Sequence, residues 1–109
     1  MDGLWYLVLN FNGKQQGATI VVRDGKVLGG DSGMTYEGSL SVDANGSING
    51  TITAEEYLSD RPDAFFPGVE SLTVSISGKK TGDSITGKAT SSLMPGASIS
   101  LVGAKKADL

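Results

Sequence analysis

The sequence predicts an all-β domain, a small eight-stranded antiparallel up-and-down β-barrel. Three observations carry this. Apolar and polar residues alternate with period two in four separate stretches. Turn signals separate the stretches, led by Asn12-Gly13, Asp24-Gly25 and Asn45-Gly46. No stretch has the 3.6-residue period of a long helix, so no helix covers the dry face of the sheet. Such a sheet must close on itself or pair with another.

The strands are expected near 3–12, 16–23, 25–30, 34–43, 46–55, 70–79, 83–92 and 97–106. In the fourth, Tyr36, Gly38, Leu40 and Val42 alternate with Thr35, Glu37, Ser39 and Ser41. In the fifth, Ile48, Gly50, Ile52 and Ala54 alternate with Ser47, Asn49, Thr51 and Thr53. The sixth sets Leu72, Val74, Ile76 and Gly78 against Ser71, Thr73, Ser75 and Ser77. The seventh sets Ile85, Gly87 and Ala89 against Ser84, Thr86, Lys88 and Thr90. Strand residues two apart share a face, so the first set in each strand points inward. Tyr36, Leu40, Val42, Ile48, Ile52, Leu72, Val74, Ile76 and Ile85 form the expected interior. Short links imply antiparallel neighbours. Asn-Gly and Asp-Gly supply the positive φ of tight hairpins, and Thr81-Gly82-Asp83 and Pro95-Gly96 mark two further turns.

Composition narrows the chemistry. The 109 residues make one domain, with 16 glycines. There is no His, so no imidazole acts as base or ligand, and no Cys, so there is no thiolate and no disulfide. The reading is a non-enzymatic protein with no cofactor and no metal. The net charge of −3 disfavours direct nucleic-acid binding, which usually shows a basic face. The opening Met1–Leu9 places Asp2 where a signal peptide carries bases, and its apolar run is short. No run approaches the length of a membrane-spanning helix. A cytoplasmic location is expected, with no membrane partner.

Several motifs invite sharper readings. Gly30-Asp31-Ser32-Gly33 resembles a serine-protease nucleophile stretch, but that chemistry needs an imidazole. A glycine-rich corner in which Asp31 or Ser32 bonds nearby backbone is the plainer account. Asp43-Ala44-Asn45-Gly46-Ser47 opens like a calcium loop, yet Ile48 and Ala54 occupy the positions that need Gly and Glu. Gly3-Leu4-Trp5 matches the Gly-x-Trp of lipocalin-like first strands, where the Trp plugs one barrel end. Gly38, Gly50, Gly78, Gly87 and Gly103 fall on the inward face. They serve either strand bending or a cavity for a small apolar ligand. Tyr36, Gly38, Leu40, Ile52, Leu72, Val74 and Ile76 are the candidate cavity lining.

Residues 56–68, Glu56 to Gly68, form the one long connection. Pro62 and Pro67 exclude a strand there, and Asp60 with Pro62 suggests a single helical turn. Phe65-Phe66 covers the barrel mouth or contacts a second chain.

The stretch from Gly25 to Tyr57 resembles the GrlR family, negative regulators of type III secretion gene expression. The pieces are Asp24-Gly25-Lys26-Val27, Gly29-Gly30-Asp31 and Tyr36-Glu37-Gly38-Ser39-Leu40, with the opening Asp2-Gly3-Leu4-Trp5. The resemblance covers roughly the first half of the chain. It implies a lipocalin-like barrel with an apolar interior, a homodimer, and binding to a transcriptional activator. The family's acidic loop is implicated in that binding. Here the corresponding segment reads Ser41-Val42-Asp43-Ala44-Asn45-Gly46, and only Asp43 keeps the charge. The expected contact residues are therefore Phe65, Phe66 and Asp43. The expected function is regulation by protein contact, with carriage or sensing of a small apolar ligand as the alternative.

Overall fold

The computed structural model describes residues 1–62 and 64–109. The strands are β1 Gly3–Phe11, β2 Lys14–Arg23, β3 Lys26–Gly30, β4 Met34–Val42, β5 Ser47–Glu56, β6 Ser71–Thr81, β7 Ser84–Thr90 and β8 Ile99–Ala107. They close into a barrel in chain order, every neighbour antiparallel, with β8 returning to β1. The eight expected strands are present, their ends displaced by a few residues.

The hairpin chemistry explains most of those ends. Asn12 and Gly13 have φ of 51° and 77°, and Asp24 and Gly25 have 50° and 81°. Both central residues are left-handed, as a two-residue type I′ turn requires. Pairing therefore runs up to the turn, Phe11 to Lys14 and Arg23 to Lys26. The Asn45-Gly46 turn is different. Only Gly46 is left-handed there, and the connection is four residues, with Gly46 N–H donating to the Asp43 carbonyl.

Alternation sets what lies inside. Leu40, Ile48, Ile52, Leu72, Val74 and Ile85 are buried in one cluster, and Tyr36, Val42 and Ile76 pack against it half-buried. Each buried aliphatic side chain contributes about 1.5–3 kcal/mol. The first strands complete the core with Trp5, Leu7, Ala18, Ile20, Val22 and Val27.

The two ends of the barrel differ. At one end Trp5 is fully buried and donates its indole N–H to the Met1 carbonyl at 2.9 Å. The Lys105 ammonium sits 5.8 Å from its ring centroid. Trp5 thus fills that end. At the other end lie the β1–β2 turn, the corner 31–33, the loop segments 57–62 and 64–70, and the connection 91–98. The helical turn expected around Asp60 and Pro62 runs through residue 63, which lies outside the described residues; Ala64 N–H donates to the Arg61 carbonyl at 3.3 Å. Asp60 has φ of 58°, whereas a residue capping a helix start is extended. Asp60 is therefore not the cap, and Arg61 reaches Asp31 and Gly33.

The inward glycines mainly let strands approach. A Cβ built on Gly38 would overlap the Thr51 carbonyl oxygen across the β4–β5 pair. Gly38 is also not among the described residues that line the interior cavity. Its expected lining role gives way to this close backbone passage.

Candidate ligand cavity

The interior is not filled. A cavity of about 120 Å³ lies inside the barrel. Leu40, Ile48, Ile52, Leu72, Val74, Ile76, Ile85, Ile99 and Leu101 line it from the walls. Six of the seven expected lining residues are there: Tyr36, Leu40, Ile52, Leu72, Val74 and Ile76. Interiors are usually close-packed, and an apolar void gives up dispersion contacts along its walls. An apolar void of roughly 150 Å³ can stay dry and take up benzene.

The long loop covers the mouth. Phe65 and Phe66 line the cavity and pack against the core. Their ring centroids lie 5.7 and 5.0 Å from that of Phe11, in tilted contacts suited to the ring quadrupoles. Lys14 ties the loop down by donating to the Ala64 carbonyl at 3.1 Å. The covering role is therefore the one in which the structure shows these two rings engaged. Met94, in the connection 91–98 at the same end, is buried in the same core cluster.

A polar cluster stands at the same end. Asp31 Oδ1 accepts from the backbone N–H of Gly33 at 2.9 Å and of Met34 at 2.8 Å. This is the local backbone bonding that the glycine-rich corner suggests. Asp31 Oδ2 accepts from the Tyr36 hydroxyl at 2.5 Å. Burial first, then the hydrogen bond and charge of Asp31, push the Tyr36 phenol far above its ordinary value; the Arg61 charge opposes. Tyr36 therefore stays a neutral donor. The Tyr57 hydroxyl donates to the Asp31 carbonyl at 2.8 Å, and Tyr57 N–H donates to the Gly33 carbonyl at 2.9 Å.

Arg61 completes the cluster. Its guanidinium lies 3.7 Å from Asp31 Oδ1 and 3.6 Å from Glu56 Oε2. Its side chain is 8% exposed and that of Asp31 3%. Arg61 passes directly over Gly33, where a Cβ would overlap its Cδ and Nε. Arg61 Nε is buried and has no hydrogen-bond partner among the described residues. A buried donor left unmade costs about 1–3 kcal/mol. Asp31, Tyr36 and Arg61 all line the cavity.

Asp43 lies elsewhere. It sits in the β4–β5 turn, at the end of the barrel opposite Phe65 and Phe66. Its Oδ1 accepts from Asn45 N–H at 2.8 Å and Ser47 N–H at 3.0 Å. It is exposed, but its carboxylate shapes the turn. The three expected contact residues are thus not brought together. Among the described residues no group of three His, Cys, Asp or Glu side chains is placed to hold a metal ion.

Arg61 was not singled out by sequence reasoning, nor were Phe11 and Met94. Arg61 lies 30 positions from Asp31 in a segment without periodicity. The one usable signal was Gly33, where a side chain would have blocked the space Arg61 takes.

No protein-family model matches this chain, and no match emerges among well-characterised proteins.

Proposed function

We propose that this chain is a non-enzymatic binding protein that holds a small apolar molecule inside its barrel. The cavity carries this reading: a void walled by hydrocarbon and covered at one end by Phe65 and Phe66. Ligand sites are commonly concave, mostly apolar and supplied with a few polar groups, and the mouths of β-barrels are frequent places for them. Binding of a first, simple probe tests it. With labelled methyl groups, toluene should shift Ile48, Ile52 and Ile76, which face inward, and leave Val21 on the outer face alone. Val74→Phe should fill the void and abolish those shifts. Unshifted inward methyls, or binding undiminished in Val74→Phe, would remove the reading.

A second reading is regulation by protein contact as a homodimer, with a transcriptional activator as further partner, as the GrlR resemblance implies. One observation favours it. The outer faces of β8, β1, β2 and β3 carry a continuous apolar patch: Val102 beside Val8, Leu4 beside Val21, and Val21 beside Leu28, with Tyr6 between. Tyr6, Leu28 and Val102 are about half exposed. The outer faces of β4 to β7 are Ser, Thr, Asn, Glu and Lys instead. Contiguous apolar patches often mark contact sites, which supports a dimer contact on this face. The same account puts the protein in the cytoplasm, with no membrane and no nucleic acid as direct partner. The net charge supports the last point.

A further inference from the structure

Building on the ligand reading, we propose that the cavity selects a small apolar molecule with one neutral hydrogen-bond acceptor. That acceptor is a ketone, ester or amide carbonyl, and Arg61 reads it at the mouth.

Arg61 lines the cavity beside Asp31 and Tyr36. More than nine-tenths of its side chain is buried, and Nε holds a proton that no described group accepts. Arginine has five N–H donors and no acceptor, so only an acceptor can satisfy it. The rest of the cluster cannot serve a ligand oxygen in its place. The Tyr36 hydroxyl gives its single proton to Asp31, and the Gly33 and Met34 N–H groups are spent on the same carboxylate.

Charge decides which kind of oxygen fits. Asp31 and Glu56 flank Arg61 at 3.7 and 3.6 Å. One cation already faces two anions. A ligand carboxylate would add a third negative charge in a poorly solvated place, where like charges raise the cost of ionisation. A neutral carbonyl brings an acceptor and no charge. Size sets the body. A volume of about 120 Å³ is somewhat below the void of about 150 Å³ that admits benzene, so the body holds no more than about six heavy atoms.

Three probes of equal size and the same propyl tail separate the cases: 2-pentanone, 2-methyl-1-pentene and butanoate. Each is titrated against the whole chain, with toluene as a control for the cavity. Plain partition favours the alkene, the most apolar of the three, so a preference for the ketone requires a donor in the site. We expect 2-pentanone to bind at least tenfold more tightly than either of the others. Arg61→Lys keeps the charge and loses Nε; the ketone should then bind no better than the alkene, with the alkene unchanged. Equal binding of all three, tightest binding of butanoate, or a ketone preference that survives in Arg61→Lys would each overturn the proposal while leaving the cavity reading in place. Failure of all three while toluene binds would also overturn it. Failure of toluene too would remove the ligand reading itself. If Arg61→Lys does not fold, the wild-type ranking decides alone.

Discussion

The Tyr36 hydroxyl and the Asp31 carboxylate meet at 2.5 Å, joining the inner face of β4 to the corner that precedes it. The bond is made at the barrel mouth, among residues that also line the cavity. It fixes the carboxylate that Arg61 approaches from the loop.

Tyr36→Phe should therefore cost about 1–3 kcal/mol, by leaving a buried carboxylate oxygen short of a donor. The pH dependence has a definite sign. The folded pKa of Tyr36 lies above the ordinary 10.0, so its contribution is full below that pH. It is lost as pH rises beyond it, by about 1.4 kcal/mol per unit. Denaturant melts of both proteins from pH 8 to 11 should show the wild-type advantage shrinking above pH 10. A constant difference across that range would contradict the bond.

The barrel register predicts opposite outcomes for adjacent residues. Val74 is buried, whereas Ser75 is exposed. Val74→Asp should cost roughly 3–5 kcal/mol through an unpaired buried charge and unfold the domain near room temperature. Ser75→Asp should change little. Similar losses in thermal melts would mean the strand is displaced by one residue.

Much of this architecture was legible because period two is written locally. A strand of alternating Ile and Thr declares its faces without reference to any partner, and Asn-Gly or Asp-Gly declares a turn. The interior positions from Tyr36 to Ile85 follow from that. The glycines were less legible, since a bend and a cavity both call for a missing side chain. Gly38 proves to face the Thr51 backbone, not the cavity. The Arg61 cluster was hidden, because it joins a loop to a distant corner and no periodicity records such a contact. Phe65 and Phe66 stood out as two adjacent aromatics, yet only Phe11 in β1 shows where they rest.

Glycine substitutions test the close strand passage. Gly38→Ala should cost roughly 1–3 kcal/mol through overpacking, since its new methyl meets backbone that cannot yield cheaply. Gly17, in β2, has open space around it. Gly17→Ala should be neutral or stabilise slightly, because it removes chain freedom from the unfolded state. Equal effects on urea midpoints would count against the tight β4–β5 crossing.

The outer apolar face predicts the oligomeric state. Sedimentation equilibrium at micromolar concentration should give a dimer. Tyr6→Glu with Val102→Lys should give one folded chain, whereas Phe65→Ser with Phe66→Ser should leave the dimer intact and loosen the mouth. A wild-type monomer would remove the dimer. Dissociation by the loop substitutions alone would move its contact to Phe65 and Phe66.

Native mass spectrometry of the protein purified from its own host tests the central claim most directly. The cavity account predicts a peak heavier than the bare chain by one small apolar molecule per barrel, lost in Val74→Phe. A bare mass for wild type, or the same adduct retained in Val74→Phe, would contradict it.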